Sequence, residues 1–374
     1  MTDNYTVYKA DISYFSGKLE AYLRYKEIPH TAIDCNQKTL RMIGNKTGTV
    51  KMPAIEMANG QWLYDTTPTI QWLEKKHPEA PVLPEDSALA FIALLIEDYA
   101  DEWLWRPAMW WRWVPKASRV ALGRRIAGEI MMAKSLTTPM GFICGRRQLR
   151  EWLWDDGVNA SNEEAVRDML FRELEFLEPL FEQQPFLLGS HPSVADFGYF
   201  ASMFRHFGND PISAEVMRRD GPNTYEWLAR LWNAKYTKLD SNVSWVWPEA
   251  DYWQPLLQRI AKDYLPYLHQ NALAFSNDKK RFDYQGDSLT FRGTVTTDYR
   301  VWCRQELQRE FSLLNTADQQ RVEQLFAKAG GITSLHQGGV IDSGLAQNYQ
   351  LPVDPATVRV KPSLAKRIFG QPRN

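Results

Sequence analysis

A proline heads a short apolar run, Met52-Pro53-Ala54-Ile55-Glu56, and this constrains the fold more than any other feature of the chain. Proline cannot donate to a sheet ladder, so within sheets it is held to strand starts, edges and bulges. The run is followed by Asn59-Gly60, a strong hairpin signal, and then by a second run, Trp62-Leu63-Tyr64. Asp65 and Thr66 come next and open a helix that Thr67 to Lys76 continues. A strand starting on proline, a hairpin, and an acid-hydroxyl pair at a helix N-terminus thus stand in immediate succession.

The flanking segments extend this order. Tyr5 to Ala10 has the β-branched and aromatic character of a strand. Gly17 to Glu27 places Leu19, Tyr22 and Leu23 at helical spacing, Thr31 to Cys35 reads as a second strand, and Thr39 to Ile43 as a short helix. The result is β-α-β followed by α-β-β-α, a thioredoxin-like order over residues 1–80. The stretch Pro78 to Pro84 breaks helix and serves as a linker. Residues 87–250 read as all-helical, with Ser87 placed to cap a long helix through Ile96 and Trp103. A capping box is expected at Ser161 to Glu164, and another pairs Ser193 with Asp196, which assigns Asp196 to helix stability rather than catalysis. Residues 251–330 are mostly helical, with a hairpin-like stretch from Lys279 to Thr297 and a last helix capped near Thr316. Residues 331–374 form an irregular, basic tail.

The proline-headed hairpin, the acid-hydroxyl pair and the Gly189-x-x-x-Ser193-x-Ala195-Asp196 stretch together resemble the glutathione transferases. The resemblance spans roughly residues 5–247 and implies a thioredoxin-like α/β domain, an all-α domain and, in this chain, a long C-terminal extension. It also implies glutathione as co-substrate, a cis Pro53, and a homodimer. The backbone of Met52 would pair with the cysteinyl part of the tripeptide, and Asp65 and Thr66 would hold its γ-glutamyl end. Lys51 and Lys38 are candidates for the glycyl carboxylate, the alternative being solvated surface charge. The run Ser13 to Arg24, with Lys18-Leu19-Glu20 and Leu23-Arg24, resembles in addition the opening helix of metaxin and failed-axon-connections proteins. That likeness implies a non-catalytic binding or interaction protein as the competing reading.

A thiolate is the reactive form of a thiol, so a donor near a helix N-terminus would activate the tripeptide. The first strand-helix turn offers Ser13, then Tyr14 as the tyrosine-type alternative, then Ser16, which is better suited to capping; all three could instead only shape the turn. Trp103, Arg106 and Trp110 recur at helical spacing and would present one face to a planar, hydrophobic, aromatic electrophile carrying negative charge, with Glu97 and Asp101 near enough to pair with Arg106. The alternative is a tryptophan-rich core or dimer seam in a chain holding 15 tryptophans.

Charge and cysteine content narrow the function classes. Lys+Arg 44 against Asp+Glu 45 leaves no net field to draw nucleic acid or membrane. Three separated cysteines indicate neither a disulfide framework nor a zinc site, and no histidine pair has metal-ligand spacing. There is no phosphate loop, no signal-like N-terminus, and no apolar run near the ~20 residues needed to span a bilayer. A cytoplasmic protein without metal, nucleic-acid partner or membrane span is the expectation.

Overall fold

The computed structural model describes residues 4–132 and 134–355. Its first layer is a four-stranded sheet of β1 (Tyr5–Lys9), β2 (His30–Asp34), β3 (Ala54–Met57) and β4 (Trp62–Tyr64), in the order β2-β1-β3-β4. β1 runs parallel to β2 and antiparallel to β3, with Val7 opposite Ile55, and β3 pairs with β4 through Ile55 and Leu63. Alternate residues Val7, Ile55 and Leu63 point inward and are fully buried, as period-two alternation on a half-covered sheet requires. Helices α1 (Tyr14–Tyr25), α2 (Gln37–Thr47) and α3 (Thr66–Lys76) complete the expected α/β order.

The helical domain comprises α4 (Ser87–Glu102), α5 (Trp105–Trp113), α6 (Lys116–Glu129), α7 (Thr137–Leu149), α8 (Glu163–Gln183), α9 (Val194–Ser202), α10 (Pro211–Asp220) and α11 (Pro222–Asn233). α9 lies hard against α4: a Cβ on Gly198 would sit 2.8 Å from the Glu97 Cα, a contact only glycine avoids. The Ser193/Asp196 capping box is formed, and Asp196 also accepts from the Leu187 amide at 2.8 Å and the Trp227 indole at 3.2 Å. Burial pushes its carboxyl up to about 6, against the bonds that favour ionisation. Three caps differ from expectation by one residue. Asp86 rather than Ser87 caps α4, accepting from the Leu89 amide. Asn162 precedes α8 without a side-chain cap, and Asn315 rather than Thr316 caps the last long helix.

Beyond residue 250 the chain folds back over α4 instead of standing apart. α12 (Gln254–Arg259) and α13 (Leu265–Ser276) lead into the hairpin β5 (Arg281–Gln285) and β6 (Thr290–Val295), where the polar stretch had indicated one. α14 (Asp298–Leu313) and α15 (Thr316–Ala327) then cover α4, and Arg321 pairs with Asp86 at 2.8 Å. Residues 332–355 return to the first domain. Trp62 and Val353 exchange backbone hydrogen bonds of 2.8 and 2.9 Å, so the extension adds a bridge to the edge of β4. The basic end of the expected tail, residues 356–374, lies outside the described residues.

Candidate functional site

Ser13 begins the site because it begins α1. Its backbone is extended and its Oγ accepts from the Ser16 amide at 3.3 Å, a cap that stabilises a helix by about 1 kcal/mol. Using the oxygen as acceptor leaves the hydroxyl proton to donate elsewhere. The turn is pinned from the other domain: buried Arg112, held by both oxygens of Asp210 at 2.6 and 2.9 Å, donates to the Ile12 carbonyl at 2.7 Å. Tyr14 does not share the expected role. It is buried, its hydroxyl donates to the Ala100 carbonyl at 2.7 Å, and burial, reinforced by Asp101, pushes the phenol well above its ordinary value. Its function is to tie α1 to α4. Ser16, expected to cap, is buried and accepts from the Ala10 amide at 3.2 Å.

The opposite end is built by the hairpin. The Met52–Pro53 peptide is cis, and Asp65 sits at φ 63°, ψ 130° at the N-terminus of α3. A non-glycine residue held there costs about 1–3 kcal/mol and persists only where its surroundings fix it. The carboxylate makes no capping bond to its own helix; instead Oδ1 accepts from the Tyr299 hydroxyl of α14 at 3.1 Å. Burial raises the Asp65 carboxyl, opposed by Lys51, the Tyr299 bond and Lys18 in that order. The Lys51 ammonium lies 5.3 Å over the Tyr299 ring, and Thr66 is buried in the first turn of α3. Tyr64 donates to the Asn348 carbonyl at 2.5 Å, and Tyr349 packs on Trp302 and Tyr64. A cavity of about 170 Å³ beside Lys51 and Tyr64 is lined also by Tyr299, Asn348 and Tyr349, and Asp65 and Thr66 are not among its lining residues. Sites for small molecules generally occupy ~300–1,000 Å³. Lys38, on α2, is exposed to solvent.

Between the two ends lies a polar cluster that the sequence marked only in part. Lys18 is fully buried and donates to Glu97, Asp101 and, at 3.2 Å, Thr67, whose hydroxyl donates to Glu97 at 2.7 Å. Glu97 and Asp101 therefore pair with Lys18 and not with Arg106. One ammonium faces two carboxylates, and Asp101 Oδ1 has no hydrogen-bond partner, so burial and Glu97 push the Asp101 carboxyl well up. The signal was present: Lys18 falls on the same stripe of α1 as the buried Tyr14, Tyr22 and Tyr25.

The aromatic cluster is divided rather than shared. α4 ends at Glu102 and α5 starts at Trp105, yet the Arg106 guanidinium lies 5.3 Å over the Trp103 ring, so these two side chains pack together as their spacing predicts. Trp103 packs edge-on against Tyr264, Tyr284 and Phe291 of the extension. Arg106 is fully buried, pairs with Asp156 at 3.2 Å, and lies 4.5 and 4.3 Å over the rings of Tyr267 and Phe291. Both belong to a sealed core, which overturns their expected place in an electrophile pocket; Trp110 is half-buried and stacks edge-on with Trp111. A different wall adjoins the Ser13 turn: half-buried Phe15 stacks on Trp105 at 6.0 Å, and Trp105 meets Trp152 edge-on at 5.2 Å. A wider depression of about 630 Å³ lies between α13 and β5, but it opens on exposed Arg281 and Asp283 and contains none of these residues.

Two family models match the chain in order, the glutathione S-transferase N-terminal domain over residues 7–81 and the C-terminal domain over residues 136–234. The chain belongs to the glutathione S-transferase superfamily. Among solved structures it is similar to a glutathione S-transferase from Pseudomonas fluorescens (17% identity, 60% of this chain and 93% of that one, TM-score 0.38). It is similar also to a beta-etherase from Sphingobium sp. strain SYK-6 (17%, 62% and 95%, TM-score 0.43). A third is a glutathione S-transferase from Methylobacterium radiotolerans in complex with glutathione sulfonate (16%, 64% and 99%, TM-score 0.40). At such identities and TM-scores these superpositions add nothing to the two family models. No curated protein sequence matches the chain. Both family matches end before the extension, so the part of this transferase-family chain that meets Asp65 lies outside them. Among the described residues, no group of three or more His, Cys, Asp or Glu side chains is placed to hold a metal.

Proposed function

We propose that this chain is a glutathione-dependent transferase in which the tripeptide competes with the chain's own Tyr299 for Asp65. The carrying observation is that carboxylate: it stands at positive φ at a helix start, and its hydrogen-bond donor among the described residues is a neutral hydroxyl from the extension. An ammonium, such as that of a γ-glutamyl group, is a stronger donor to it than a phenol. In this reading the Met52 backbone meets the cysteinyl amide, Thr66 and the α3 N-terminus receive the glutamyl carboxylate, and Lys51 receives the glycyl one. Ser13 donates to the thiolate, which lowers the thiol pKa and holds sulfur for attack on an electrophilic carbon, whose leaving group departs with the bonding electrons. The electrophile lies against Phe15, Trp105 and Trp152, whose aromatic faces favour an aryl group. A homodimer and a cytoplasmic setting belong to the same reading, and sedimentation measures the first.

The second reading, a non-catalytic binding or interaction protein on this fold, is favoured by the small cavity left under Tyr299 and Tyr349. Calorimetric titration with glutathione, paired with a thiol-transfer assay on an aryl halide, separates the two. Transfer by the wild type, binding lost in Asp65→Ala, and binding kept but rate lowered about 10- to 100-fold in Ser13→Ala supports the enzyme; that loss is the worth of one hydrogen bond to a charged group. No binding at millimolar glutathione by either the wild type or Tyr299→Phe overturns the transferase.

A further inference from the structure

We propose that the α6–α7 hairpin is a docking face for an anionic lipid surface. The two helices carry Lys116, Arg119, Arg124, Arg125, Arg146 and Arg147 against a single acid, Glu129, in a chain whose total charge is −1. The near-neutral total conceals this patch. The same segment also exposes large apolar side chains: Phe142 is 65% and Leu136, just before α7, 60% exposed, and Val120 and Ile143 are each 42% exposed. Isolated exposed hydrophobics are ordinary, but these four within residues 120–143, interspersed with arginines, mark an interaction surface.

The two helices pack closely side by side. A Cβ on Gly123 would lie 2.5 Å from the Gly141 carbonyl oxygen, so the two backbones touch. Along α7, Pro139, Phe142 or Ile143, and Arg146 recur at helical spacing on the exposed side; along α6, Lys116, Val120 and Arg124 do the same. The Arg146 guanidinium sits 5.8 Å over the Phe142 ring, cation above apolar surface in one stripe. Lys116, Arg124 and Arg146 have no carboxylate partner among the described residues, and each is exposed. Aliphatic and phenyl groups interleaved with unpaired cations match a boundary where acyl chains lie under phosphates. A second copy meeting this face across a two-fold axis would set like charges together, and nucleic acid would leave Val120, Leu136 and Ile143 without a partner.

Co-sedimentation of the full chain with vesicles tests this, comparing mixed phosphatidylglycerol–phosphatidylcholine with phosphatidylcholine alone. Partition onto the anionic vesicles at low salt, lost on the neutral ones and at 1 M salt, is the expected result. Arg124→Gln/Arg146→Gln should weaken partition by roughly 30-fold, about fivefold for each basic residue near an anionic surface. Leu136→Ser/Phe142→Ser should weaken it about 10-fold or more. Both double variants replace exposed side chains, and an unchanged melting temperature confirms that they fold. No partition of the wild type onto anionic vesicles overturns the proposal, as does partition that both variants leave intact. Apolar-dependent dimerisation without lipid binding, or retention on DNA unaffected by Leu136→Ser/Phe142→Ser, overturns it as well.

Discussion

The two ends of the candidate site are built differently. The Ser13 end is completed within four residues by a side chain that caps its own helix, with Arg112 fixing the turn from behind. The Asp65 end is set up locally, by the hairpin and the start of α3, but finished by Tyr299, a residue 234 positions away. The first end offers a hydroxyl proton, whereas the second has its acceptor already engaged. A family frame can therefore be intact in its own domain while one of its carboxylates is engaged by chain outside that domain.

The largest break of this comparison comes from Lys18, which stands on the helix that Ser13 caps and is among the groups that oppose the rise of the Asp65 carboxyl. Lys18→Met removes the cation facing Glu97 and Asp101 and leaves both carboxylates buried. Removing one partner of a buried ion pair costs about 3–5 kcal/mol, read as a lower denaturation midpoint. A change below ~1 kcal/mol would show that the cluster contributes no more than a surface pair does.

A smaller effect reads the joint between α4 and the extension by pH. α4 meets the extension through Asp98, which accepts from the Tyr264 hydroxyl at 2.5 Å, and burial pushes its carboxyl up to about 7 from 3.8. Between those values the folded chain retains a proton that the unfolded chain has lost. The contribution to stability is therefore largest below pH ~4 and falls as pH rises toward 7, by at most about 1.4 kcal/mol per unit. Asp98→Asn keeps an acceptor for Tyr264 and should flatten that slope; an unchanged slope assigns the titration to another buried carboxyl.

What the sequence made legible was local. Pro53, the Asn59-Gly60 turn and the Ser193/Asp196 box act over two to four residues, where spacing alone fixes geometry. The Lys18 motif was visible, but its partners Glu97 and Asp101 were assigned to Arg106, because helical spacing favours near neighbours over a helix packed from the other domain. Trp103 and Arg106 do meet as their spacing suggests, but spacing does not tell a pocket face from a core face, and the rings that seal them, Tyr267 and Phe291, come from the extension. Nothing in the spacing of Tyr299 or Val353 indicated Asp65 or Trp62 as partners, since contacts across such separations follow from tertiary packing and leave no periodic trace.

The finest test acts on one oxygen atom. Tyr299→Phe removes the hydroxyl from Asp65 and keeps the ring beneath Lys51. If glutathione and Tyr299 compete for the same carboxylate, the dissociation constant should fall by about 10- to 100-fold, because a hydrogen bond to a charged group contributes ~1.5–3 kcal/mol. Asp65→Ala should abolish that gain when the two changes are combined, which sets the effect at this carboxylate and not at the ring. A Tyr299→Phe chain that binds glutathione no better than the wild type would mean that the closed end resembles the open one in energy, and that the bond seen between Tyr299 and Asp65 does not govern entry.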